Sequence, residues 1–144
     1  MIGRHWRPNA STGVARVRIF VLEERTLRAC MISDALQSGS AREFAVAIDI
    51  RTKSFPRSDH GVVGGQLRRA AISIPSNIAE GCGKSSRKET IRFFQIALGS
   101  ATETESHLLI AADFGYLDAQ ARETLLGEIK TIQRMLAKLA VNLP

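Results

Sequence analysis

The chain is expected to be all-α, an antiparallel four-helix bundle behind an N-terminal extension, and three observations carry that expectation. From Ala41 onward the sequence consists of long segments rich in Ala, Leu, Ile, Glu, Arg and Gln, separated by short breaks. In the last two of these segments apolar residues recur at alternating steps of four and three, the spacing of helices packed nearly antiparallel. The third is composition: 144 residues, 44% hydrophobic and 24% charged, suit one folded domain and exclude a disordered chain. The bundle is assigned to residues 41–144 and the extension to residues 1–40.

The first helix is expected from Ala41 to Lys53, with Phe44, Ala47, Ile48 and Arg51 on one face and Phe55-Pro56 closing it. A loop over residues 57–61 follows. The second helix spans about Val62 to Glu80, with a stripe of Val63, Leu67, Ala70, Ala71, Ile74 and Ile78. Pro75 removes one backbone donor and crowds the preceding turn, which predicts a kink near Ala71 to Ile74 or a division into two shorter helices. Gly81 and Gly83 are expected to supply the stop. Ser86-Arg87-Lys88-Glu89 has capping-box spacing, so a third helix should begin there, with a stripe of Phe94, Leu98, Ala101, Glu105, Leu108 and Ala112. Gly115 should end it. Asp118 should cap the fourth, whose stripe is Leu125, Ile129, Ile132, Leu136 and Leu139.

The first forty residues have a different style. Residues 12–22 alternate weakly, with Ala15, Val17, Ile19 and Val21 against Arg16 and Arg18, as a short strand does; Glu23 to Gln37 reads as helical, and Ser38-Gly39-Ser40 interrupts. Two readings stay open for this region: a poorly ordered basic extension, or sequence upstream of the true start, with Met31 as an alternative initiator.

Few residues point to catalysis. Cys30 and Cys82 form no Cys-x-x-Cys and have no neighbouring His, which suggests reduced thiols in a cytoplasmic protein and no metal site. The apolar run Ile19 to Leu22 is too short for a signal peptide or a membrane span. Gly83-Lys84-Ser85 resembles the end of a phosphate loop, but Ile78 stands where that motif needs a glycine. Glu103, Glu105 and His107 cluster on the third helix, yet a di-iron bundle needs Glu-x-x-His on two helices. Glu105 falls on the apolar stripe and should be buried; Arg69 is the expected partner, because an unpaired buried carboxylate is costly. His5, His60 and His107 stand in no recognisable relation to a nucleophile. No enzyme activity and no cofactor are expected.

Charge is more informative. The net charge is +6, and residues 41–92 hold ten basic against five acidic groups, whereas residues 93–144 hold four against six. Lys84, Arg87, Lys88 and Arg92 surround the start of the third helix, where backbone donors and the helix dipole also favour anions, and Arg68 adds charge from the second. These five are the candidate nucleic-acid-binding residues. With few aromatic residues to stack on bases, binding would follow charge and shape more than sequence.

The run from Gln66 to Gly81, QLRRAAISIPSNIAEG, closely resembles the signature of the four helix bundle protein family, also called 23S rRNA intervening-sequence proteins. Phe55-Pro56, Arg92-Phe93-Phe94, the run from Ile96 to Ser100, Glu103, Glu105 and Gly115-Tyr116-Leu117 extend the likeness over residues 41 to about 140. The resemblance implies an up-down bundle assembling as a ring-like homopentamer, without established enzyme activity. It also implies that Arg69, Pro75, Asn77, Glu80, Gly81 and Glu105 build the bundle. Accessory proteins of diversity-generating retroelements look similar in fold and bind nucleic acid and a reverse transcriptase through a basic surface. Family members carry a Trp early in the first helix and an aromatic near its end; here those positions fall at about Ser38 and Asp49. The sequence thus supports a cytoplasmic, non-enzymatic homo-oligomer that binds RNA or DNA, with an adaptor for another protein as the alternative and no membrane role.

Overall fold

The computed structural model describes residues 40–59 and 61–142. Within them are four helices: α1 (Ala41–Thr52), α2 (Val63–Cys82), α3 (Arg87–Asp113) and α4 (Ala119–Asn142). No strand occurs among the described residues. The expectations for residues 1–39 and for His60 lie outside the described residues.

The α2–α3 hairpin is the main body of the bundle. α4 packs against α3, while α1 packs on α2 and touches α4 only lightly. Length explains the asymmetry. α1 has 12 residues against 20, 27 and 24 in the others, so it runs about 18 Å beside neighbours of about 30–40 Å. The core joins Phe44 and Ile48 of α1, Leu67, Ile74 and Ile78 of α2, Phe94 and Leu108 of α3, and Ile129, Ile132 and Leu136 of α4.

α1 is rotated from its expected face. Ala45 and Thr52 are buried, Ala47 is half-buried and Arg51 is exposed. Thr52 can enter the core because its hydroxyl is satisfied twice, donating to the Asp49 carbonyl at 3.0 Å and accepting from Arg68 Nη1 at 2.9 Å.

α2 continues unbroken through Pro75, so the two-helix alternative fails. An interior proline costs about 3 kcal/mol. Ile74 and Ile78, both fully buried, contribute about 1.5–3 kcal/mol each, enough to hold the helix together. Ser76 Oγ donates to the Ile72 carbonyl at 2.9 Å and Asn77 Nδ2 to the Ser73 carbonyl at 2.8 Å, supplying extra donors just past the missing one.

Gly81 does not act as the stop; it is the last buried residue of the α2 face. A Cβ there would meet Phe93 Cβ at 3.0 Å and the Phe94 ring at 3.1 Å, so the missing side chain lets α2 and α3 close together. Gly83 ends the helix, its N–H reaching the Ala79 and Glu80 carbonyls.

Ser86 caps α3, accepting the Glu89 N–H at 3.2 Å. The return arm differs from an ordinary capping box: the Ser86 hydroxyl donates to the Glu89 carboxylate at 2.9 Å. The buried α3 stripe is Thr90, Phe94, Ala97, Ser100, Ala101, Thr104, Leu108 and Ala111. Leu98, Glu105 and Ala112 are therefore at its edge. Thr90, Ser100 and Thr104 can line the core because each hydroxyl bonds the carbonyl four residues back.

α3 ends as expected at Gly115, whose φ of +76° needs no Cβ. Gly115 N–H bonds the Ala112 carbonyl and Tyr116 N–H the Ala111 carbonyl, a Schellman motif. Asp118 Oδ1 caps α4 through the Ala121 N–H at 2.7 Å, and all five residues of the expected α4 stripe are buried.

Candidate nucleic-acid interface

Four of the five candidate cations gather at one end of the bundle. The tight turn between α2 and α3, over residues 83–86, places Lys84 beside the N-terminus of α3, and Arg87, Lys88 and Arg92 lie within the first six residues of that helix. These three are exposed. The helix dipole puts partial positive charge at the same place. The one acidic side chain in the first turn, Glu89, is engaged by Ser86.

Lys84 is partly committed within the fold. Its Nζ lies 3.1 Å from Glu80 Oε1 and 4.6 Å from the centroid of the Phe93 ring. The ion pair is exposed, where such pairs contribute little, while the ring holds the ammonium over the α2–α3 turn. Glu80 thus has a role at the turn, as the partner of Lys84.

Arg68 is not part of this group. It stands sixteen residues before Lys84 along α2 and its turn, about 24 Å away at helical rise, and its guanidinium bonds Thr52 at the opposite end. The expected Arg69–Glu105 pair is likewise replaced. Glu105 is half-buried at the edge of the α3 stripe and accepts from Gln133 Nε2 of α4 at 2.8 Å, while Arg69 faces solvent. With α3 turned by one position from its expected phase, a neutral amide on α4 is enough to satisfy that carboxylate.

Glu103 pairs with His107 Nε2 at 3.5 Å, separating it from Glu105. No three His, Cys, Asp or Glu side chains converge on a metal-sized space among the described residues. No helix among them is long and apolar enough to cross a membrane.

A family model described as "23S rRNA-intervening sequence protein" matches residues 37–138, well over half of the chain. The chain belongs to that family. Among solved structures, a protein of unknown function from the S23 ribosomal protein family of Bacteroides thetaiotaomicron is similar at 27% identity, with a TM-score of 0.69. The match covers 77% of this chain and 99% of that one. No curated protein matches.

For this member of the 23S rRNA-intervening sequence family, the signature on α2 serves helix packing. Gly81 admits Phe94, and Asn77 Nδ2 bonds both the Ser73 carbonyl and Ser73 Oγ, which in turn meets Ser100 Oγ of α3 at 3.0 Å. The sequence reading missed the Ser73–Ser100 link. Ser73 and Asn77 share a helical face by their spacing of four, a readable signal, but Ser100 is identified only by the packing.

The far end was missed more completely. The Phe55 and Tyr116 ring centroids are 5.2 Å apart, and the Tyr116 hydroxyl donates to Asp59, tying the α1–α2 loop to the α3–α4 loop. That bond to Asp59 raises the Tyr116 phenol above its ordinary value of 10.0, with burial and the nearby negative charge acting in the same direction.

Proposed function

We propose that the protein is a non-enzymatic, homo-oligomeric bundle of the cytoplasm that holds RNA or DNA through the basic end formed by Lys84, Arg87, Lys88 and Arg92. The observation that carries this reading is the exposure of Arg87, Lys88 and Arg92 at a helix N-terminus whose first-turn acid is engaged by its own cap. Such a surface contacts phosphate and carries no base-reading geometry, so binding is weak, sequence-tolerant and salt-sensitive. In a symmetric oligomer the patch repeats, and several weak contacts on one strand add through effective concentration.

Self-association has its own support. Val46 and Ile50 on α1, and Ile110 on α3 with Phe114 at its C-cap, form exposed apolar pairs at a spacing of four. The same strips favour the second reading, an adaptor that receives another protein. Fluorescence anisotropy with labelled single-stranded RNA and DNA over a salt series separates the two. The first reading expects a log–log slope set by the phosphates neutralised per complex, and loss of binding when Lys84, Arg87, Lys88 and Arg92 are all changed to Glu. Unchanged binding in that variant removes the assigned surface, and no binding at low salt leaves the adaptor reading.

A further inference from the structure

Because α1 is short and touches α4 only lightly, a groove of about 570 Å³ remains between them. Its floor is apolar, formed by Phe44, Ala47 and Ile132, and its walls carry Glu43, Glu123 and Glu128, all exposed. Among the described residues, no lysine or arginine lines it. Arg134 stands just outside, bonded to Thr131. Ser40 lines the same groove, and its buried hydroxyl has no hydrogen-bond partner. The groove therefore calls for an occupant with apolar side chains and positive charge.

The chain supplies one. Residues 1–22 contain four arginines and no acidic residue, and residues 14–21 interleave Val17, Ile19 and Val21 with Arg16 and Arg18. We propose that residues 14–21 dock along the α1–α4 groove of their own chain. The valines and isoleucine cover the floor, and the long stems of Arg16 and Arg18 carry their guanidinium groups to Glu43, Glu123 and Glu128.

Reach is ample. The chain enters α1 at Ser40, on the groove itself, and the nineteen residues from Val21 to Ser40 span up to about 60 Å extended. The tether also raises the local concentration to about the millimolar range, which favours this segment over a free competitor. The inference rests on the groove and is independent of nucleic-acid binding.

Disulfide trapping in the full-length protein tests it. Gly127 lines the groove and Gly99 lies on α3 outside it; both are exposed helical glycines with open space where a Cβ would stand. In a Cys30→Ser, Cys82→Ala background, Val17→Cys is combined with Gly127→Cys or with Gly99→Cys, and bond formation under mild oxidation is followed by non-reducing electrophoresis and mass spectrometry. The expected result is an intramolecular bond formed several-fold faster to position 127 than to position 99. Arg16→Glu with Arg18→Glu should remove that preference, as should Glu43→Arg, Glu123→Arg and Glu128→Arg together. Combining the two reversed sets should restore it. Equal rates at both positions, or a preference indifferent to both charge reversals, overturns the proposal. A covalent dimer as the main product assigns the groove to a second copy and also overturns it.

Discussion

The two ends of the bundle use polar side chains in opposite ways. At the end where α1 meets α2 and α3 meets α4, polar groups turn toward one another: Arg68 to Thr52, Tyr116 to Asp59, Asp118 to the α4 backbone. At the α2–α3 turn the helices are held by apolar contact, Gly81 against Phe94, while Arg87, Lys88 and Arg92 face solvent. The polar bonds there are local to the turn, Lys84 to Glu80 and Ser86 to Glu89, and do not join distant loops. Where loops must be joined across the bundle, charge and hydroxyls are consumed in joining them.

The largest expected effect comes from removing the packing at the basic end. Phe94 is fully buried, and Phe94→Ala should cost about 3–5 kcal/mol, read as a lower urea midpoint at unchanged m-value. Gly81→Val attacks the same contact from the other side. With Cβ already 3.0 Å from Phe93, the two further methyl groups should cost about 1–3 kcal/mol by overpacking. If Gly81→Val is neutral in the same melt, the close approach is not what holds this end.

This contrast also explains what could be read in advance. Local rules sufficed for α4, because its stripe follows one period and Asp118 and Gly115 have side-chain and backbone reasons to stand where they do. They failed for the phase of α3. Period alone favours Leu98, Glu105 and Ala112, whereas the fold buries Ala97, Thr104 and Ala111. Small side chains let α2 approach, and threonine hydroxyls satisfied by their own helix carry no penalty, so hydrophobicity was a poor guide there. The basic residues at 84–92 were visible as a cluster because they are close in sequence. Arg68 was misplaced because its partner Thr52 lies a helix away, and Asp59 and Tyr116 are fifty-seven positions apart.

A middle-sized effect tests the polar end. Arg68→Ala should cost about 1.5–3 kcal/mol, as for a hydrogen bond to a charged donor. The Thr52 hydroxyl keeps its own bond to the Asp49 carbonyl, so it is not left unsatisfied. Nucleic-acid binding in this variant should be unchanged within error, since Arg68 lies far from Lys84. A loss comparable to that of the quadruple Glu variant would join the two ends into one surface and erase the distinction between them.

The smallest effect belongs to the Tyr116 tie, and pH gives it a signature that packing lacks. The phenol donates to the Asp59 carboxylate, which raises its pKa above 10.0 in the folded chain. The folded state then holds the phenolic proton more tightly than the unfolded one, so the stabilisation is complete below pH 10 and disappears as pH rises through the folded pKa. Ionisation would set a phenolate against a carboxylate. Tyr116→Phe keeps the ring beside Phe55 and removes only the hydroxyl. Its melting temperature should fall slightly below that of the parent protein at pH 8 and converge with it above pH 10. Phe94→Ala should show no such convergence, because its loss is one of apolar contact. A Tyr116→Phe deficit that persists unchanged above the phenol's titration would mean that the ring's environment, and not the bond to Asp59, joins the two loops.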